Sequence, residues 1–329
     1  MQNSRIVGTG TYLPERVVTN DDLVKDFGVE TSDAWIRERT GIGKRRIAAP
    51  GEATSDMATA ASRKALKMAG IRPEDVDMII CGTVTPDMPF PAAAVLVQAK
   101  LGATHAACFD VSAACAGSLY ALAIGDSFIK TGAAKSVLVV GAELLSRITD
   151  WKDRNTCVLF GDAAGAMVIV PETREGHGLL STHLHTDGTQ WDILNIPGGG
   201  SRKPFSQDVL DKREQFVKMN GREVYKTAVR VLEQCSREAL ERNGARTQDV
   251  THVIAHQANL RILEGVLKRL EIPLEKCHLN IEEVGNTSSA SVPLTLDQAN
   301  RKGALKDGDL VLMMAIGGGM AWGSALVRW

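Results

Sequence analysis

Aromatic residues make up only 5% of the chain, too few to suggest the base-stacking platforms of single-strand nucleic-acid binders. An excess of one charge is also missing. Thirty-eight Lys and Arg against 39 Asp and Glu leave a net charge of −1, so nothing global points to nucleic acid or an anionic membrane as partner. No uninterrupted apolar run approaches the roughly 20 residues of a membrane span. Residues 1–18 carry polar and charged side chains where a signal peptide would place its apolar stretch. The six cysteines, at 81, 108, 115, 157, 235 and 277, never form a CxxC pair, which argues against structural zinc. A chain of 329 residues, 44% of them hydrophobic, builds its core without disulfides, and a reduced cytoplasmic protein is the expectation. His183 and His185 alternate as strand neighbours do, and the pair is read as structural rather than metal-binding.

What the sequence does contain is an internal echo. Ala65-Leu66 through Gly70, Arg72, Asp75-Val76 and Ile80 aligns without gaps on Ala239-Leu240 through Gly244, Arg246, Asp249-Val250 and Ile254. Each copy reads as an amphipathic helix ending at Gly, a short polar link and a buried strand, 76–81 and 250–255. Residues 135–140 (KSVLVV) then parallel 309–314 (DLVLMM), and 165–170 (GAMVIV) parallel 323–328 (GSALVR). Three matched blocks in one order predict two similar α/β halves, each a mixed sheet covered by helices. The boundary is expected near residues 171–175, giving units 1–173 and 174–329. Segment 186–220 reads as an excursion before a long helix at about 221–243, and the prolines of TPDMPFP, 85–91, make that stretch a shaped loop.

The duplication proposes a site. Cys115 lies 17 residues before Gly132 and Asn286 lies 17 before Gly303, so the two are expected at equivalent places, each entering a helix from a preceding strand (109–111 and 279–281). His256 follows directly on the second buried strand. Strand ends and helix N-termini are where α/β folds place their sites. A thiol at a helix N-terminus, helped by an imidazole, is expected to ionise and act as an acyl-accepting nucleophile. Neutral His and Asn donors suit an enolate or thioester oxyanion, and the Gly run at 317–319 can bring a backbone N–H to the same place. Each residue also has an ordinary reading. Cys115 could be a small core residue, His256 a core or turn histidine, and Asn286 a helix cap or turn residue.

Seven blocks carry a resemblance: GTGTYLPERVVTN at 8–20, TSDAWIRERTGI at 31–42, FDVSAACAG at 109–117, FGDAAGA at 160–166, HQANLRI at 256–262, GNTSSASVP at 285–293 and GGGMAWGSALVRW at 317–329. Together they resemble β-ketoacyl-acyl carrier protein synthase III, the condensing enzyme that initiates type II fatty acid synthesis. The resemblance implies a thiolase-like fold of two pseudo-duplicated halves in a five-layered α-β-α-β-α arrangement. It implies a Cys115–His256–Asn286 triad, with acyl transfer from coenzyme A to the cysteine. Decarboxylation of malonyl-acyl carrier protein and Claisen condensation to a 3-oxoacyl product follow. Backbone amides of Cys115 and Gly318 would hold the acylation oxyanion. No metal or redox cofactor is implied, since coenzyme A enters as the substrate's handle.

The same resemblance assigns Trp35 and Arg154 to an adenine sandwich, Arg39 to the nucleotide's phosphates and Asn259 to the pantetheine arm. Lys226 and Arg261 would meet the acidic carrier protein. Phe90 would reach into the acyl pocket of a partner subunit, implying a homodimer. Tyr225 stands at the pocket gate where the family often has Phe, Ser118 stands where Phe is common, and 190–204 is hard to align. The primer therefore stays open, as does a place in a secondary-metabolite pathway. A cysteine hydrolase and a silent acyl-coenzyme A binding protein are the rival readings.

Overall fold

The structure is a computed structural model and describes residues 3–329. Its first sheet runs in the order Ser4–Tyr12, Ala163–Pro171, Val137–Glu143, Met78–Gly82, Ala107–Val111. The last three strands are parallel and the first two antiparallel additions. The second sheet repeats the pattern as His252–Ala255, Leu310–Gly317, Ala321–Arg328 and Gly178–Thr186, with one parallel and two antiparallel pairings.

Strands covered on both faces read as nearly continuous apolar runs, and alternation decides which face each residue serves. Ile80, Val137, Val139, Met167 and Ile169 point inward, toward Val311, Met313, Ala325 and Val327 of the second sheet. Between them lie Leu119 and Leu122 of the helix Gly117–Lys130 and Leu296 of the helix Ser291–Arg301. Their neighbours Ile79, Cys81, Leu138, Val140 and Val168 point outward onto the helices Thr54–Ala69 and Ala93–Leu101. Leu312, Met314 and Leu326 likewise pack on the helices Gly221–Arg242 and Leu260–Leu270. The layers are helices, sheet, two helices, sheet, helices, as the thiolase resemblance implies.

The echoed units form where the pattern places them. The helix Thr54–Ala69 stops on Gly70 (φ 66°), and Gly221–Arg242 is followed by Gly244 (φ 63°). Residues 85–91 form a loop without helix or ladder. The equivalence of Cys115 and Asn286 needs correction. The central helices begin at Gly117 and Ser291, each after a 3₁₀ turn, Ala114–Ala116 and Ser288–Ala290. Ala114 and Ser288 share a left-handed backbone (φ 45° and 50°), so Cys115 matches Ser289, and Asn286 stands three residues earlier.

The strand expected at 279–281 is also absent. The second sheet keeps only a single bridge there, Val253 to Cys277. The amides of Asn280 and Ile281 donate instead to Gln257 Oε1 (2.9 and 3.0 Å), which withdraws them from any ladder and starts the short helix Ile281–Val284.

The start of the helix Gly117–Lys130 and the second 3₁₀ turn both press on glycines. A Cβ on Gly82 would stand 2.4 Å from the carbonyl carbon of Gly117, and one on Gly141 would stand 2.2 Å from Ser289 O. Backbone cannot yield as a side chain can, so Gly141→Ala is expected to destabilise by about 1–3 kcal/mol. A lowered urea midpoint would register it, and an unchanged midpoint would mean that the turn gives way.

Candidate active site

Cys115 occupies the first 3₁₀ turn, at the mouth of the helix Gly117–Lys130, and is 8% exposed. The strand Leu310–Gly317 ends against it, because a Cβ on Gly317 would stand 2.4 Å from Cys115 N. Gly318 follows at the cavity wall. Among the described residues no loop or turn carbonyl accepts from the Cys115 or Gly318 amide.

His256 leaves the strand His252–Ala255, its backbone N–H donating to Met314 O at 2.8 Å. Its ring is buried, and neither ring nitrogen has a hydrogen-bond partner among the described residues. Burial pulls the imidazole down to about 4, so it is neutral near pH 7. Asn286 is anchored by the first half of the chain: its N–H donates to Leu159 O and its carbonyl accepts from Gly161 N–H, both at 2.9 Å. Its Oδ1 accepts the Ser288 N–H at 2.9 Å. That bond orients the amide and leaves Nδ2 without a protein acceptor among the described residues.

One cavity of about 1080 Å³ is lined by Cys115, His256 and Asn286 together. Trp35, Arg39 and Arg154 stand along it, and so do Tyr225, Lys226, Asn259 and Arg261. Trp35 is set by the helix Asp33–Thr40, whose N-cap Ser32 accepts the Trp35 N–H. The guanidinium carbons of Arg39 and Arg154 lie 4.8 and 4.9 Å from its ring centroid, within cation–π range. Arg154 also donates to Glu30 O. It covers the indole directly here, so an adenine between the two requires Arg154 to swing away. Asn259 caps the helix Leu260–Leu270 through its Oδ1 and donates from Nδ2 to Arg39 O, tying the arginine's segment to the loop that follows His256. Phe90 is not among the cavity residues; it stands 84% exposed in the Pro-rich loop.

The expected resting thiolate is not what the geometry favours. Burial pushes the Cys115 thiol up to about 12; the Ser288 hydroxyl works against that rise and the Glu143 charge adds to it. Desolvation of a whole charge outweighs the partial charge of a helix terminus. The imidazole does not help, since it is neutral and bonded to nothing. The sequence alone does not single out Ser288, one of three serines in GNTSSASVP, or Glu143, although Glu143 closes an apolar strand run in which a carboxylate is the one discordant letter. His183 and His185 share Glu238 (3.3 and 2.7 Å). Among the described residues no three His, Cys, Asp or Glu gather as a metal site, and all six cysteines are free.

Two stacked mixed sheets, with a cysteine at the mouth of a central helix and neutral His and Asn donors in the same cavity, define a condensing acyltransferase of the thiolase fold. Family models agree: 3-oxoacyl-[acyl-carrier-protein] synthase III matches residues 109–188 and its C-terminal counterpart matches residues 240–329. The chain belongs to the β-ketoacyl-acyl carrier protein synthase III family. It is 52% identical to the synthase of that name from Caldanaerobacter subterraneus over 98% of this chain and 97% of the relative. It is 50% identical to one from Xanthomonas campestris over 99% and 98%. The Aquifex aeolicus synthase III crystal structure superposes with a TM-score of 0.92 at 47% identity, covering 99% of this chain and 100% of that one. The priming β-ketosynthase of the R1128 polyketide pathway superposes at 0.91 with 36% identity, over 99% and 96%.

Proposed function

We propose that this chain joins an acyl-coenzyme A primer to malonyl-acyl carrier protein through an acyl group held on Cys115. The observation that carries the reading is the single cavity shared by one cysteine thiol and two neutral donors. Attack of Cys115 on the primer carbonyl would place the oxyanion at the Cys115 and Gly318 amides, and coenzyme A leaves as the thiol. Loss of carbon dioxide from the malonyl thioester then develops an enolate oxygen, which the His256 ring N–H and Asn286 Nδ2 stabilise. The enolate carbon attacks the acyl-cysteine, and expulsion of the Cys115 sulfur releases the 3-oxoacyl chain on the carrier. Covalent storage divides one hard step into two. Neutral donors suit the enolate because a carboxylate in their place would repel it. The chemistry needs no resident cofactor.

In this reading residues 1–173 supply the nucleophile and 174–329 the donors. Trp35, Arg39, Arg154 and Asn259 hold coenzyme A at the open end of the cavity. Tyr225 gates the acyl end, and the exposed Phe90 completes it from a second copy in a homodimer. Among the described residues no helix is long and apolar enough to cross a membrane, and six free thiols fit a reducing cytoplasm. Lys226, Arg230, Lys268 and Arg269 line a groove of about 690 Å³ beside Arg261 and the cavity, a basic face suited to an acidic carrier. Arg261→Glu is therefore expected to raise KM for malonyl-carrier by about tenfold or more and KM for acyl-coenzyme A by much less. Equal effects on both would undo the assignment.

The deciding experiment is a panel of acyl-coenzyme A primers with malonyl-carrier, read as product mass. A 3-oxoacyl product two carbons longer than the primer is the expected result. Loss of the acyl mass from Cys115 within seconds, with no malonyl donor present, would make the chain a hydrolase.

A further inference from the structure

Arg45, on the strand Lys44–Ile47, is fully buried, and the condensation steps leave it unused. No carboxylate pairs with it among the described residues, and the one titratable group acting on it is the Cys157 thiol. Burial pulls the guanidinium down to about 10, so it still carries its charge near pH 7. A buried cation without a counter-ion is costly. Such a cost calls for a task.

Its hydrogen bonds point to one. Nη1 donates to Asn20 Oδ1 at 2.8 Å and lies 3.3 Å from Val18 O. Nη2 donates to Val158 O at 2.8 Å. Nε has no partner among the described residues, so the side chain is held by the two ends of its fork. A planar fork serves two separated acceptors at once, and the shorter, single-nitrogen head of lysine does not match that spread.

Val158 opens the segment that carries Asn286. Leu159 O accepts the Asn286 N–H and the Gly161 N–H donates to Asn286 O, both at 2.9 Å, with Phe160 bridged to Asn286 between them. The two segments cross too closely for side chains. A Cβ on Gly161 would stand 2.3 Å from Val284 O, and one on Gly285 would stand 2.8 Å from Leu159 O. The same two Cβ positions lie 3.0 and 3.4 Å from the Arg45 Cβ. Arg45 is therefore the floor of the crossing, while Val158, Leu159, Phe160 and Asn286 line the cavity.

We propose that Arg45 is a positioning residue for Asn286, fixing through Val158 O the segment on which the Nδ2 donor is mounted. It touches no substrate and exchanges no proton. The inference rests on the proposed role of Asn286 at the malonyl enolate. A misplacement of about 1 Å can cost a reaction on the order of 10²-fold, so a mounting this firm has a kinetic consequence.

Two variants of the full-length chain test it. Arg45→Lys keeps the charge and most of the stem but loses the fork, and Arg45→Met loses both. In each, acylation of Cys115 and coenzyme A affinity are expected within about threefold of wild type. Carbon dioxide release from malonyl-carrier is expected to fall by about tenfold or more. Once Asn286→Ala has removed the donor, adding Arg45→Lys should lower release by less than about twofold further. The lysine variant decides the matter if the methionine variant does not fold.

A merely structural arginine would slow acylation and decarboxylation alike, or multiply its loss onto that of Asn286→Ala. Either result overturns the inference, and so does wild-type carbon dioxide release by Arg45→Lys. Hydrogen exchange supplies a readout without substrate. The peptide bearing the Asn286 N–H should exchange about tenfold faster or more in Arg45→Lys, with the Cys115 turn unchanged. Unaltered exchange at Asn286 would remove the anchoring role. Faster exchange there, in a chain whose wild type releases no carbon dioxide, would refute the proposed function and leave the anchor standing.

Discussion

Replacing Cys115 with alanine is expected to lower condensation by on the order of 10⁴-fold or more, in the range that loss of the nucleophile costs other covalent enzymes. By about 1.36 kcal/mol per decade that is at least about 5 kcal/mol of lost transition-state stabilisation. No substitute is at hand, because Cys115 is the cysteine lining the cavity among the described residues. The fold is expected to survive, since Ala114 and Ala116 already flank the position and the turn is backbone-made. Coenzyme A affinity is expected to change by less than about threefold, because the proposed contacts to the other end of the ligand, Trp35, Arg39 and Arg154, are untouched. Product mass after malonyl-carrier addition and isothermal titration with coenzyme A check the two halves separately. Activity within tenfold of wild type would place the nucleophile elsewhere, and loss of both binding and activity would mean that the turn collapsed.

Asn286→Ala is expected to split the two half-reactions. Acylation of Cys115 should proceed near the wild-type rate, because the proposed mechanism gives the acylation oxyanion to backbone amides. Decarboxylation of malonyl-carrier by the acylated enzyme should fall by about 10²–10³-fold, the usual cost of one preorganised oxyanion donor. Because Asn286 Oδ1 also holds the Ser288 N–H, alanine could disturb the second 3₁₀ turn. Asn286→Asp keeps that acceptor while removing Nδ2 and adding a negative charge, and it should decarboxylate no better than the alanine variant. Intact-mass kinetics of acylation and carbon dioxide release read the two steps. Failure of both variants already at acylation would overturn the division of roles between the amides and Asn286.

The architecture was legible because duplication leaves marks that do not depend on long-range contacts. Helix, glycine and buried strand recur around Gly70 and Gly244, and strands covered on both faces announce themselves as apolar runs. Cys115 and His256 were legible as polar or reactive letters at the ends of such runs. The register between halves was not. A single bridge at Cys277 replaces the strand expected at 279–281, and the reason is a side chain, Gln257 Oε1, taking two backbone amides that a ladder would need. Spacing to the next glycine therefore aligned Asn286 with Cys115, three residues out of step with the helices themselves.

The sequence by itself determined the layers, the echo and the three residue types that meet at the site, since periodicity and small-residue turns are local properties. Only the tertiary structure decided the protonation chemistry. A helix terminus would favour the thiolate, yet burial pushes the Cys115 thiol up to about 12 and pulls the His256 imidazole down to about 4. Those are properties of the space that several separate segments enclose together, and no stretch of chain carries them alone.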